Sequence, residues 1–522
     1  MGGSQSKGTR ISFQMGRAIH VIRTNAVTAK RDDRSCADTA GPGSIQSRVL
    51  FVDLDGTLLR TDLLHEAALV FFKKSPWQFL RALPRLTHGR AVFKRAISEA
   101  VTPDIQQLPF REEVVEFIVE QRSLGRKVLL ATAADSTWAQ SIADELGVFD
   151  GILASDGVRN LKGATKLTAI QAYCREHGYS EFDYVGDSRA DLSIWRESRN
   201  AYLVAPSRRL LREVQSSATP AKIIGDRESV TRSVVAELRP QQWVKNVLIF
   251  APLVTSHNVF HFAPAMAATI AFVCFCLCAS AVYVLNDLAD INADRRHPTK
   301  RERAFASGRL PISWGLPLAG GLLTVGFVIA ALTLPIVFSA TLVGYFATTC
   351  AYSFVAKRIA MLDVLMLAGL YTIRVLAGGM ATGIVVSEWL MALSMFLFVS
   401  LAFAKRYAEL TRLLRANEGT ASGRGYLVAD IGLIESIGPA SGYMAVLVLA
   451  LYVNGEQMKT LYRNPWAIWL ICPVLMYWIS RVWIKAKRGE LPEDPIVFAL
   501  RDRVSAYLAI IVVALLIAGS CL

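Results

Sequence analysis

The stretch Asn286-Asp287-Leu288-Ala289-Asp290-Ile291-Asn292-Ala293-Asp294 closes a long apolar run, Phe272 to Leu285. It opens a basic loop, Arg295-Arg296-His297-Pro298-Thr299-Lys300-Arg301-Glu302-Arg303. Asp287, Asp290 and Asp294 recur at i, i+3 and i+7, which places them on one face of a helix. Carboxylates at membrane depth are costly and point to function, and at a helix C-terminus they also oppose the dipole. Three on one face repel each other unless a cation lies between them. Oxygen-only donors suit a hard metal such as Mg²⁺, which takes one or two carboxylates together with substrate phosphates. The arginines that follow match phosphate geometry. The competing reading is a solvated acidic helix end with snorkelling arginines.

Outward from this stretch the chain divides in two. From Gln241 on, apolar runs alternate with short loops, at roughly 244–257, 264–288, 314–333, 334–355, 361–383, 387–404, 437–454, 465–484 and 503–521. That predicts an all-α polytopic domain of about nine spans, the first short for the roughly 20 residues a bilayer needs. Loops after the second, fourth, sixth and eighth runs are rich in Lys and Arg, and the alternate loops hold few beyond Lys459 and Arg463. The positive-inside rule then sets the basic loops and the N-terminal half in the cytoplasm, as for a bacterial inner-membrane protein. It also accounts for much of the net charge of +14, so nucleic acid is not an expected partner. Cys274, Cys276 and Cys278 face different sides of one apolar helix and read as packing residues rather than a metal site. Residues 1–47 read as a disordered basic tail, with a short match to a myristoylation pattern and some likeness to a transit peptide.

The N-terminal half carries its own chemistry. The apolar strand Val49-Leu50-Phe51-Val52 runs into Asp53-Leu54-Asp55-Gly56-Thr57. Alternation puts both carboxylates on one side of the strand end, where one can attack phosphorus and the other handle a proton. Lys127 to Ala131 forms a second strand ending in Thr132; Lys166 follows in Gly163-Ala164-Thr165-Lys166; Phe182 to Val185 leads into Gly186-Asp187-Ser188-Arg189-Ala190-Asp191. Strand ends gather at the carboxyl edge of a parallel sheet, so Asp53, Asp187 and Asp191 can share Mg²⁺.

These four motifs, in order, resemble those of the haloacid dehalogenase superfamily over roughly Arg48 to Gly225. The resemblance implies an α/β fold, with Asp53 as a nucleophile forming an aspartyl-phosphate and Asp55 as general acid/base. It implies Thr132 and Lys166 on the phosphoryl oxygens, and Asp187 and Asp191 on the Mg²⁺ side. Thr61 to about Gln107 resembles the family's helical cap. Its Trp77, Phe79 and Leu80 are expected in a cap core rather than against a membrane.

The membrane half resembles the UbiA-type intramembrane prenyltransferases, and within them the branch that makes polyprenyl-phosphoryl-5-phosphoribose. The likeness rests on Arg239 to Asn246, Asn286 to Gly308, Ala404 to Leu410, and Pro492 to Pro495 with Arg501-Asp502-Arg503. It implies phosphoribosyl diphosphate held through Mg²⁺ by Asp287, Asp290 and Asp294, with Asn286, Arg295, Lys300, Arg301 and Arg303 as further ligands for the sugar phosphates. The same resemblance implies that Asp287 and Asp290 carry the catalytic metal. A polyprenyl phosphate held by Lys245, Lys405 and Arg406 would attack the anomeric carbon. Quinone-type relatives usually show a second acidic motif after the sixth span; here that loop carries Lys405, Arg406 and Glu409, which suits an anionic acceptor. For Lys405 and Arg406 ordinary positive-inside charge competes, and for Lys245 simple anchoring.

The expected organisation is therefore a tail (1–47), a phosphatase-like domain (48–225, cap about 61–107), a linker (226–237) and a transmembrane transferase (238–522). Joined on one membrane face, the halves suggest transfer of 5-phosphoribose followed by removal of the 5-phosphate. An aromatic prenyltransferase with an unrelated or regulatory soluble domain is the alternative.

Overall fold

The computed structural model describes residues 48–217, 219–415, 425–455, 462–492 and 495–521. The expected tail, Lys459, and Glu493-Asp494 of the last motif lie outside the described residues.

Six parallel strands form one sheet in the order β3-β2-β1-β4-β5-β6. They are β1 (Val49–Val52), β2 (Val128–Asp135), β3 (Gly151–Ser155), β4 (Phe182–Gly186), β5 (Ala201–Val204) and β6 (Pro220–Ile224). Each residue of β1 is fully buried, as befits a central parallel strand covered on both faces. Leu50 and Val52 join one apolar cluster, Val49 and Phe51 another: the strand's period of two feeds two cores. β2 runs on past Thr132 to Asp135, with a register shift against β3 between Ala131 and Asp135. The segment after β1 includes the helices α1 (Leu63–Lys74), α2 (Pro76–Ala82) and α3 (Arg90–Ala100). Asp62 caps α1 by accepting from the amides of Leu64 and His65, satisfying donors a helix start leaves open.

Among the described residues eight helices are long and apolar enough to cross a membrane. The expected short first span instead folds as helical and 3₁₀ turns over Pro240–Trp243, Val244–Phe250 and Ala251–Thr255. We label α4 (Ala164–Glu176) in the α/β domain, then α5 (Phe262–Arg296), α6 (Leu362–Thr382), α7 (Glu388–Arg415), α8 (Ile431–Val453) and α9 (Ile471–Arg488). Helix α5 has 35 residues, about 52 Å at 1.5 Å per residue. Hydrocarbon is only about 30 Å thick, so the rod is long enough to carry its acidic end beyond it. Small residues let α7, α8 and α9 pack closely. A Cβ on Gly438 would strike the Trp483 ring, and Ser400 Oγ donates to the Gly438 carbonyl (2.7 Å) while accepting from Trp483 Nε1 (3.0 Å).

The chain separates into two compact units, and the division is not linear in sequence. Asp287–Gly315 belongs with the α/β domain, whereas Leu238–Asn286 and Leu316 onward form the other unit. The expected boundary at 238 is thus crossed by an excursion, because the acidic end of α5 and the loop after it make their partners in the α/β unit.

Candidate active sites

The first site lies at the carboxyl edge of the sheet. Asp53 leaves β1, its amide still bonded to the Val185 carbonyl at 3.0 Å, so backbone pairing fixes its position. Lys166, on α4, donates to Asp53 Oδ1 at 2.8 Å and to Tyr184 Oη at 2.9 Å, and stands 3.7 Å from Asp191. Tyr184 Oη in turn donates to Asp191 Oδ1 at 2.9 Å, and Asp191 Oδ2 accepts from Ser188 Oγ at 2.9 Å. Thr57 Oγ1 donates to Asp187 at 3.3 Å. Gly56 has φ +79°, and a Cβ there would meet Asp187 Oδ2 at 2.3 Å; both the turn and the approach of Asp187 require glycine. Thr132 is fully buried and accepts from the Ala134 amide at 2.9 Å, leaving its own proton to donate.

Carboxylate oxygens of Asp53, Asp187 and Asp191 all lie within 4.8 Å of one another. Burial, with Asp53 and Asp191 as neighbours, pushes Asp187 up to about 8. Burial likewise lifts Asp53 to about 6, against the pull of Lys166. Such crowding of hard oxygen donors is relieved by a divalent cation, so the residues present fit Mg²⁺. Asp55 accepts from the Leu63 amide at 2.8 Å, and burial together with Asp62 raises it to about 7, a value suited to a group that gives and takes a proton near neutrality. Burial alone would lower Lys166; the charges of Asp53 and Asp191 outweigh it and hold the ammonium above its ordinary value.

Three further side chains at this site carry no motif. Tyr184 looks like an ordinary apolar member of β4. Lys94 of α3 donates to the Ala133 carbonyl (2.6 Å), and burial lowers it against the pull of Asp55 and Asp62. Arg111 donates to the Gly56 carbonyl at 3.2 Å and lies within electrostatic reach of Asp187.

The second site begins at the end of α5. Asp287 and Asp294 are buried, Asp290 and Asn286 half-buried. Arg303 turns back between the acids, its Nη1 3.0 Å from Asp287 and 2.6 Å from Asp294. Among the described residues the three acids do not close to the spacing seen at Asp53; a guanidinium bridges two of them. Arg295 is engaged elsewhere. It meets Glu66 of α1 through two bonds, 2.5 and 3.1 Å, and donates Nε to the Ala306 carbonyl at 3.0 Å. Both partners of this pair are about 95% buried. Lys300 and Arg301 are half-buried, and Arg301 lies 3.6 Å from Glu302. At Gly308 (φ +74°) a Cβ would meet Arg60 Cβ at 2.7 Å, so the loop lies directly on the chain that leaves β1.

The helical unit holds two buried arginine networks. Arg406 meets Asp363 at 2.5 Å, Glu409, and Tyr352 Oη at 3.2 Å, while Tyr426 Oη donates to Asp363 at 2.7 Å. Arg374 donates to Asn246 Oδ1 and Tyr345 Oη, both at 2.8 Å, and lies over the Tyr345 ring. Lys405 and Lys245 are half-buried. Arg374 sits mid-helix in α6 with no signal beyond being a charge in an apolar run, the kind of residue that is functional by default in a membrane.

Comparison with known proteins agrees with both halves. The UbiA prenyltransferase family profile matches residues 247–417, and the haloacid dehalogenase-like hydrolase profile matches residues 50–196. Decaprenyl-phosphate phosphoribosyltransferase of Mycobacterium tuberculosis is 32% identical over 286 residues, covering 54% of this chain and 92% of its own. This chain belongs to the UbiA prenyltransferase family. It carries a haloacid dehalogenase-like domain on the N-terminal side, and it is an integral membrane enzyme with transferase and phosphatase domains. The fusion is shared: the uncharacterised protein y4nM of Sinorhizobium fredii is 38% identical over 467 residues, 89% of each chain. Nodulation protein NoeC of Azorhizobium caulinodans is 38% identical over 267 residues, 51% of this chain and 85% of its own.

Proposed function

We propose that the membrane domain transfers 5-phosphoribose from phosphoribosyl diphosphate to a polyprenyl phosphate, and that the phosphatase domain then removes the 5-phosphate. The product would be a polyprenyl-phosphoryl-ribose, a precursor for a lipid-linked pentose. The observation that carries the first step is the likeness of 286 residues to decaprenyl-phosphate phosphoribosyltransferase, with the acidic face of Asp287, Asp290 and Asp294 beside a loop of arginines. Mg²⁺ bound there would neutralise the leaving diphosphate. The chain's own part is positioning: Arg303, paired with Asp287 and Asp294, would turn from those carboxylates to the diphosphate oxygens when metal and substrate arrive together. Lys405 and Lys245 supply cations for the acceptor phosphate. Arg406, expected from sequence as a further phosphate ligand, is buried and already paired with Asp363 and Glu409, so it would act by holding its helix in place rather than by meeting the lipid phosphate.

In the second step Asp53 attacks the phosphorus of the 5-phosphate and the bond to the ribose oxygen breaks. Asp55, held near neutrality, protonates that oxygen; it then takes a proton from a water that attacks the same phosphorus, the bond from phosphorus to Asp53 breaks, and inorganic phosphate leaves. Lys166 and Thr132 hold the phosphoryl oxygens. Mg²⁺ on Asp53, Asp187 and Asp191 would offset the charge of the phosphate. Both steps would proceed on the cytoplasmic face of a bacterial inner membrane.

Incubating the purified protein with labelled phosphoribosyl diphosphate and a polyprenyl phosphate tests the reading. The expected result is a labelled lipid together with free diphosphate and inorganic phosphate. Absence of any labelled lipid across polyprenyl chain lengths would remove the transferase reading.

A further inference from the structure

The cap presents a surface that neither catalytic step uses. At α2, Phe79 packs against the core as expected from sequence, but Trp77 and Leu80, with apolar side chains of the 3₁₀ turn that follows (Leu83–His88), stand in solvent instead. Trp77 is 79% exposed, and Phe72, Leu80, Leu83 and Leu86 are exposed with it. Contiguous apolar surface of this kind marks an interaction site. Its charge is one-sided: from Ala67 to Ser98 there is no Asp or Glu, whereas Lys73, Lys74, Arg81, Arg85 and Arg90 fall within it. Among the described residues Lys74, Arg81, Arg85 and Arg90 pair with no carboxylate, and all are exposed. A third observation places this surface. Helix α1 packs on the 3₁₀ turn Ile312–Trp314, and that turn begins a membrane-spanning helix, Ile312–Thr333. The cap thus packs on a segment that is continuous in sequence with a candidate membrane-spanning helix.

We propose that the cap docks on the anionic bilayer surface, with Trp77 and its leucine neighbours in the headgroup layer and the surrounding lysines and arginines over lipid phosphates. Aromatic rings with an apolar body and a polar edge favour that layer, and juxtamembrane basic residues add attraction to anionic lipid. Long basic side chains on a short amphipathic element are the pattern of an interfacial anchor. The charge pattern favours this occupant over a second copy of the cap, since two such surfaces would repel. A cap seated among headgroups would open the phosphatase site toward phosphate carried on a lipid rather than in solution. The docking itself rests on the chain being a membrane protein, not on the reaction assigned to it.

The test uses the full-length protein reconstituted into liposomes of phosphatidylcholine, with or without added phosphatidylglycerol. The difference in emission between the parent and Trp77→Phe isolates Trp77. That difference should shift to the blue and be quenched by lipids brominated near the headgroup, more strongly when phosphatidylglycerol is present. Hydrogen exchange over 76–88 should slow at least tenfold on adding the anionic lipid, and Arg81→Glu with Arg85→Glu should remove that slowing. Trp77 emission quenched by aqueous iodide but not by brominated lipid would overturn the proposal. Protection that depends on protein concentration rather than lipid charge would overturn it as well, in favour of self-association. None of these readouts requires catalytic activity.

Discussion

Replacing Glu66 with Gln tests whether the acidic loop of the transferase is held by the phosphatase cap. The carboxylate and the Arg295 guanidinium are each about 95% buried and share two hydrogen bonds. Two unit charges at about 4 Å attract by roughly 4 kcal/mol at an effective dielectric constant near 20. Removing one member of a buried pair leaves the other uncompensated, typically at about 3–5 kcal/mol. Gln keeps the shape and one acceptor, so the lower end, about 3 kcal/mol, is expected. The neighbouring tethers cannot replace it: Arg296–Asp104 and Arg309–Glu228 are partly or largely exposed pairs at 3.4 and 3.6 Å, and such pairs contribute about 0–1 kcal/mol. The loss should appear as local opening. Amides of Ser307, Gly308 and Leu310, bonded to carbonyls within the loop, should exchange roughly 100-fold faster, while amides of β1 and β4 stay unchanged. Glu66→Leu with Arg295→Met should recover most of that loss, because an apolar pair leaves no buried charge. Exchange raised less than about fivefold in Glu66→Gln would refute the reasoning and show that desolvation cancels the pair.

Three other outcomes follow from the two sites. Asp53→Asn should leave transfer intact but stop the product at polyprenyl-phosphoryl-5-phosphoribose, one phosphate heavier by lipid mass spectrometry than the parent's product; identical lipids from both would break the link between the steps. Lys405→Ala should raise the KM for polyprenyl phosphate roughly 10- to 150-fold, the worth of one charge-assisted hydrogen bond, and the KM for phosphoribosyl diphosphate far less. Below pH about 8 the folded chain keeps a proton on Asp187 that the unfolded chain loses near 4, so the stability of the metal-free protein should fall as pH rises through that window. Mg²⁺ replaces that proton, and the melting-temperature gain it gives should be larger at about pH 8 than at about pH 5.5; an equal gain at both would show that the ion binds elsewhere.

Local sequence carried the α/β domain and its motifs because apolar runs announce the strands and short turns follow them. Asp53 and Asp187 sit just past strand ends and Thr132 lies within β2, whereas Lys166, on α4, was legible through the Gly163-Ala164-Thr165 that precedes it. Tyr184 was not, since a strand residue that bridges Lys166 to Asp191 reads like any other member of a buried strand. Glu66 was invisible for a different reason: its partner lies 229 residues away, and nothing near Asp62-Leu63-Leu64-His65 marks it as half of a buried pair. The same non-locality hid the excursion of 287–315 into the α/β unit. Hydropathy marked 244–257 as a short apolar segment, but composition could not show that it is broken into the short 3₁₀ and helical turns found there. Trp77 was expected inside by its composition; only the packing of α2 shows it facing out.

Arg303 gives the acidic cluster a built-in rival for any ion arriving from solution. Tethered nine residues from Asp294, its guanidinium is present at an effective concentration that dissolved cations rarely match. A bare divalent ion must displace it from two carboxylates at once. An ion that arrives already bound to a diphosphate brings an anion to receive the displaced arginine. As the metal site proposed above, the cluster would discriminate between free and phosphate-bound metal by chain connectivity, a form of selectivity set by loop length as much as by the identity of the ligands.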